Sequence, residues 1–179
     1  MADLRYPIGK FEWIPPKNEE QMAERRVHYI EVLAKLPSNM ASAVKGLNQE
    51  QLDTPYRPEG WTVRQVVHHV PDSHLNAYVR FKLALTEDNP TIRSYDEAKW
   101  AKLPDSAVTP IEVSLQLLAA LQSRWVEVVR FMQQSDFART LVHPERGNLT
   151  LDQMLAMYAW HSAHHIAHVT SLRERMGWH

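Results

Sequence analysis

The 179-residue sequence carries 20 lysines and arginines against 21 acidic residues, and its formal net charge is −1. This length predicts a single domain over residues 1–179, and the balanced charge predicts no nucleic-acid partner. Because cysteine is absent, disulfides, thiolate zinc sites and a cysteine nucleophile are excluded, so a metal must have nitrogen or oxygen ligands. No segment has the pattern of a signal peptide or a membrane span, so we expect a cytoplasmic protein without a membrane partner.

The N-terminal third predicts an arm followed by one helix. Residues 1–17 combine three prolines with aromatic and aliphatic residues, which predicts an extended arm packed across the body or against a second subunit. From residue 18 the apolar residues recur at intervals of three, four and seven, which indicates the first long helix. Pro37 interrupts this run, so we expect a kink or a short break there.

The second helix is predicted to begin after a proline-containing loop at residues 48–60. Thr62 and Gln65 have the spacing of a capping box, in which each side chain bonds the other's backbone amide. The helix carries His68, His69 and His74, with Pro71 in its middle. Residues 87–108 then form a long irregular connection between the second and third helices, of the kind that is often functional.

Two further helices complete the prediction. Thr109 is expected to cap the third, with Pro110 at its first position. After a polar connection at residues 135–148, Thr150 begins the fourth helix, which ends before Gly177. Four long amphipathic helices without segments of alternating polarity predict an all-α protein, a four-helix bundle with cofactors held between facing side chains.

The fourth helix contains four of the ten histidines within eight residues: His161, His164, His165 and His168. At about 100° per residue, His165 lies near the middle of the apolar stripe and His161 lies about 40° from it. His168 is at the edge of the stripe, and His164 points furthest away. A buried single histidine usually just forms hydrogen bonds, but a pair at i and i+4 can hold one ion between its rings.

A third ligand would have to come from another helix, because a catalytic zinc-type site uses three protein ligands and keeps one position open. On an ideal second helix His74 lies on the apolar stripe, and His69 points roughly 120° away. Pro71 lies between them and can change this register. Spacing alone therefore leaves the choice between His69 and His74 open.

Five segments then carry a resemblance that spans nearly the whole chain: QLDTPYR (51–57), GWTVRQVVHHV (60–70), DSH (72–74), WHSAHHIAH (160–168) and RMGW (175–178). They resemble the DinB-like superfamily, and within it the YfiT-type branch of metal-dependent hydrolases. The resemblance implies a four-helix bundle, often dimeric, that binds one divalent ion through one histidine of the second helix and an H-x-x-x-H pair of the fourth. Carried onto this sequence, the pair falls on His161 and His165 and the single ligand falls on His69.

The resemblance implies a metal-dependent hydrolase of an unidentified small molecule, and we expect zinc or nickel as the ion and a homodimer as the assembly. Two alternatives stay open: a thiol S-transferase of the bacillithiol type, and a non-catalytic bundle in which the metal is structural. The sequence lacks H-E-x-x-H, so no general base is built into the ligand helix. Candidates for alternative ligands or for partners of the ligand rings are His74, His164, His168 and Asp72.

Two other interpretations of single residues bear on the outcome. Arg80 is one of three arginines that could meet an anionic substrate, although a solvated arginine is the commoner case. His28 and His143 are interpreted as incidental.

Overall fold

The computed structural model describes residues 3–178. Its long helices are α1 (Glu19–Val44), α3 (Val63–Thr86), α6 (Ile111–Phe131) and α7 (Leu151–Met176). Shorter elements connect them: helices α2 (Gln49–Leu52), α4 (Glu97–Trp100) and α5 (Asp105–Val108), a 3-10 helix (Gln134–Ala138), and strands β1 (Thr140–His143) and β2 (Gly147–Thr150). The predicted four-helix bundle is confirmed. Within residues 3–178 no helix is long and apolar enough to cross a membrane.

The helix ends follow the sequence signals in all but one case. Capping boxes begin α3 at Thr62 and α7 at Thr150, and Gly177 ends α7 in the left-handed conformation with φ 65°. The predicted cap at Thr109 is wrong. Thr109 closes α5 instead, since its backbone N–H bonds the Asp105 carbonyl, and α6 begins after Pro110 without a side-chain cap.

Both helical prolines lie inside continuous helices. Of the kink or short break expected at Pro37, the break is wrong, because α1 runs from Glu19 to Val44. Likewise α3 continues through Pro71. The residues just before the two prolines, Leu36 and Val70, are fully buried. Packing on the core side therefore holds each helix together despite the hydrogen bond that proline cannot make.

The polar connection before α7 contains a hairpin that the sequence analysis did not predict. Strands β1 and β2 are antiparallel, with Thr140 paired to Thr150 and His143 to Gly147. Val142 also bonds the long connection, since its N–H donates to the Pro90 carbonyl at 2.9 Å and its own carbonyl accepts from Ile92 at 3.0 Å. The hairpin therefore fixes the segment after Ile92 beside the bundle.

The bundle core consists of two apolar clusters. One contains Phe81, Trp125 and Leu155, and the other contains Met40, Val67 and Val169. Six histidines, here called the histidine layer, lie near the boundary between these clusters: His69 and His74 on either side of Val70 in α3, and His161, His164, His165 and His168 between Tyr158 and Val169 in α7. Contacts between His69 and His161 and between Arg80 and Tyr158 show that α3 and α7 are antiparallel.

The N-terminal arm packs across α7, as one of the two predicted arrangements requires. Nε1 of Trp160 donates to the Gly9 carbonyl at 3.2 Å, and Nε2 of His168 lies 3.1 Å from the Arg5 carbonyl. The arm therefore covers one side of the histidine layer.

Candidate metal centre

Three histidine rings converge where α3 faces α7. Nε2 of His161 lies 3.3 Å from Nε2 of His69 and 3.1 Å from Nε2 of His165. One ring nitrogen from each residue lies within 4.8 Å of the other two. The structure thus brings together the three residues that the resemblance predicted as ligands.

Burial keeps these rings neutral. Desolvation, followed by the neighbouring histidines, lowers the pKa of His69 to about 4 and holds the pKa values of His161 and His165 well below their usual range. A neutral imidazole has one nitrogen with a free lone pair, the form that binds metals. No proton would have to leave these rings at neutral pH before a cation bound.

His74 lies behind this cluster and outside it. It is fully buried; its Nε2 is 3.3 Å from Nδ1 of His161, and its Nδ1 is 2.6 Å from the amide nitrogen of Gln122. The amide oxygen of Gln122 is buried and has no partner among the described residues. A chain of polar groups therefore runs from α6 through His74 to the back of the His161 ring.

The other predicted partners occupy different places. His168 stacks on Tyr56 with ring centroids 3.9 Å apart, and its Nδ1 lies 3.4 Å from Nδ1 of His165. His164 stacks on Trp160, and its Nδ1 is buried without a partner among residues 3–178. Asp72 is half-buried and lies outside the three-histidine cluster, and desolvation raises the pKa of its carboxyl to about 6.

The three converging rings form part of the wall of a cavity of about 500 Å³ that opens to solvent. This central cavity lies between α3, α7, the arm and the long connection. Trp61 covers the ring of His69 at a centroid distance of 4.6 Å and runs nearly parallel to the ring of His165. Such a volume is typical of small-molecule sites.

Sequence reasoning missed several residues of the cavity wall. His143, interpreted as incidental, is buried there, and so is Tyr158. Tyr95 and Ser73 also line it. The signal that could have found Ser73 is its position four residues after His69, on the same helix face.

Most of the chain matches one protein-family model. The model described as the DinB superfamily matches residues 33–169, about three quarters of the chain. The chain belongs to the DinB superfamily.

Similar members of the DinB superfamily come from Bacillus. Relatives in Bacillus mycoides (strain KBAB4) and Bacillus cereus (strain 03BB102), both named "Putative metal-dependent hydrolase", are 52% identical over 178 residues, covering 99% of this chain and all of theirs. Among solved structures, YfiT from Bacillus subtilis is 46% identical, with a TM-score of 0.92 over 99% of this chain and all of that chain. It is described as "a probable metal-dependent hydrolase with an unusual four-helix bundle topology".

The residues of this DinB-superfamily chain fit the divalent ion that these names imply. Ligands at 2.0–2.1 Å from a tetrahedral ion are about 3.3 Å apart, close to the 3.1 and 3.3 Å between the Nε2 atoms. Three neutral imidazoles suit zinc and nickel. The buried amide oxygen of Gln122 has no partner in the described part of the chain, and half a turn of this amide would place it against Nδ1 of His74 as the acceptor that a chain of ligand and supporting rings requires.

The lowered histidine pKa values predict that the metal-free protein loses stability as pH falls from about 6.5 towards 4. In the unfolded chain these histidines bind protons near pH 6.5, whereas in the folded chain His74 stays neutral to about 3 and His69, His164 and His168 to about 4. The unfolded state then binds more protons than the folded state. Each buried histidine therefore lowers the free energy of unfolding by on the order of 1 kcal/mol for each pH unit of acidification in this range. The raised pKa of Asp72 acts in the opposite direction, because its carboxyl binds a proton more readily in the folded state than in the unfolded state. One carboxyl is outweighed by the four histidines.

Urea unfolding at pH 7.5, 6.0 and 5.0 in the presence of a chelator measures this effect. The exposed His28 provides the control, since His28→Gln should leave the pH dependence unchanged. A free energy of unfolding that is flat or rises between pH 7.5 and 5.0 would contradict the prediction.

Proposed function

We propose that this protein is a metal-dependent hydrolase of a small molecule, in which His69, His161 and His165 hold one divalent ion, zinc or nickel. The observation that carries the proposal is the convergence of three neutral Nε2 atoms on the wall of an open cavity. The names of the Bacillus relatives and of YfiT support the same class of activity.

The cavity favours a catalytic site over a structural one. A structural zinc site is closed by a fourth protein ligand, whereas a catalytic site keeps one position for water or substrate. His74 and His168 also contact the ligand rings, but His74 faces Nδ1 of His161 and His168 faces Nδ1 of His165, so both lie away from the converging Nε2 atoms. The remaining approach to the three nitrogens is from the cavity.

The ion, when bound, supplies a Lewis acid that activates water and polarises a carbonyl oxygen. The chain's own residues shape what surrounds it. The Ser73 hydroxyl lies 3.5 Å from Nε2 of His161 and provides a hydrogen-bond donor beside the reacting group. Trp61 limits the access of bulk water to His69 and His165, which strengthens the electrostatic interactions at the site.

Metal analysis of protein produced without an affinity tag tests the ligand assignment. We expect one divalent ion per chain in the wild type and none in the variant carrying His69→Ala, His161→Ala and His165→Ala. Stoichiometric metal in that triple variant would refute the assignment.

A screen of the metal-loaded protein against esters, amides and thiol-conjugation substrates tests the reaction. Hydrolysis that disappears with chelation supports the proposal. Conjugation of a low-molecular-weight thiol without hydrolysis would replace it with the S-transferase. A large loss of thermal stability on chelation, with no turnover of any substrate, would favour the structural role.

The predicted homodimer and cytoplasmic location belong to this proposal as well. Light scattering of the tag-free protein measures the oligomeric state, and a monomer at micromolar concentration would remove the dimer from the proposal.

A further inference from the structure

Three arginines are buried among residues 3–178, and they differ in their partners. Arg26 binds Asp152 at 2.6 Å and also binds Glu19. Arg64 binds Asp53 at 2.7 Å. Arg80 is as buried as Arg64, each being 7% exposed, yet within the described residues no carboxylate oxygen lies within 4.0 Å of its guanidinium.

The protein gives Arg80 few hydrogen bonds. Its NH2 group donates to the Arg93 carbonyl at 2.8 Å, and its NH1 group makes a long contact of 3.5 Å with the Tyr158 hydroxyl. A guanidinium has five N–H donors, arranged so that two of them can bind a carboxylate or a phosphate at once. A buried charge without a counter-ion is expensive, and such groups normally have a partner.

Arg80 also lines the same central cavity as the three converging histidines. It follows His69 by 11 residues on α3, which returns to within about 20° of the same helix face. The rise over 11 residues is about 16 Å. Tyr158 spans the space between, since its hydroxyl lies 3.5 Å from Arg80 and its ring centroid lies 5.7 Å from that of His161. One small molecule can therefore contact both ends of the cavity.

The surroundings of Arg80 suit an anion. Arg80 and Arg146 both line this end of the cavity beside His143, and after desolvation their charges lower the pKa of His143, while Glu145 acts in the opposite direction. The phenol of Tyr158 is buried, and desolvation raises its pKa, which keeps it protonated as a hydrogen-bond donor. The carboxylates nearby, Glu97 and Glu145, belong to exposed residues of the cavity rim.

We propose that the substrate carries an oxyanion group, a carboxylate or a phosphate, that binds Arg80 while its reacting group lies at His69, His161 and His165. This inference rests on the proposed metal site for the reacting end only. The Arg80 end depends on the missing counter-ion and on the shared cavity. The inference narrows the substrate class from any small molecule to an acidic small molecule.

Thiol probes on the cobalt-loaded protein measure the proposed subsite. A thiolate binds the ion and produces a charge-transfer absorption, so mercaptoacetate, 3-mercaptopropionate and 6-mercaptohexanoate can be compared with thiols of matched length that end in a hydroxyl. We expect one acid to bind at least about tenfold more tightly than its matched alcohol, the size of one charge-assisted hydrogen-bond pair. Arg80→Gln should abolish this ratio, and Arg80→Lys should keep part of it.

Arg124→Gln is the matched control, since Arg124 is an exposed arginine outside the cavity. It should leave the ratio unchanged, and thermal unfolding should show that Arg80→Gln is folded. A ratio below about twofold at every length, or a ratio that survives Arg80→Gln, would overturn the proposal.

Metal-free protein titrated with inorganic phosphate separates this proposal from the metal site. Backbone amide shifts in NMR should report binding that Arg80→Gln weakens at least fivefold. If cobalt does not bind, the proposed function fails and the phosphate titration alone decides the subsite. Phosphate that does not bind, or that binds equally to both proteins, would then show that the subsite is absent.

Discussion

Replacing His161 by alanine is expected to abolish stoichiometric metal binding, with a loss of affinity of about a hundredfold or more. His161 is the central member of the cluster, because its Nε2 is close to those of both His69 and His165. The total binding energy of a zinc site is on the order of 10 kcal/mol, so one of three ligands carries several kcal/mol. Competition with a chromogenic chelator measures the change.

The control for this variant is His28→Ala, which removes an exposed imidazole that does not line the central cavity. It should bind the ion as the wild type does, and both variants should keep the helical circular dichroism of the parent. An affinity of His161→Ala within threefold of the wild type would show that the three rings do not share an ion.

Gln122→Leu is expected to lower metal affinity by about 10- to 100-fold, although Gln122 lies on α6 and contacts His74 rather than His69, His161 or His165. When His161 binds a cation through Nε2, its proton resides on Nδ1 and donates to Nε2 of His74. His74 then donates from Nδ1 to Gln122. Half a turn of the amide brings the orphaned oxygen into place as the acceptor. Leucine fills a similar volume but accepts no hydrogen bond.

The conservative variant separates this positioning role from a packing role. Gln122→Glu keeps an acceptor at the same distance and should restore most of the affinity that Gln122→Leu loses. Gln116→Leu, at an exposed position on the same helix, should have no effect. If the leucine and glutamate variants lose stability alike while their metal affinity stays at the wild-type level, the hydrogen-bond chain does not orient His161.

The sequence was sufficient for the long helices and for the facing pair on α7. Helical periodicity and capping boxes are local signals, and so is the spacing of His161 and His165. The helix wheel alone favoured His74, because it identifies side chains that face the core. His74 does face the core and is fully buried, whereas His69 lines the central cavity.

The features that the sequence did not predict depend on contacts between distant segments. The hairpin at Thr140–Thr150 is bonded to Pro90 and Ile92, about 50 residues earlier in the chain. Arg80 became informative only when the structure showed which arginines have carboxylates beside them. Such pairings follow from the assembled bundle and leave no local pattern.

A bundle whose apolar interior is interrupted by a layer of imidazoles contains two hydrophobic ends joined by a weakly cohesive middle. Without an ion, the end around Trp125 and the end around Val67 can open separately, so their amide hydrogens should exchange with deuterium at different rates. An ion that ties α3 to α7 joins the two ends mechanically. Metal binding would then make the two clusters unfold together, as one cooperative unit, instead of opening separately.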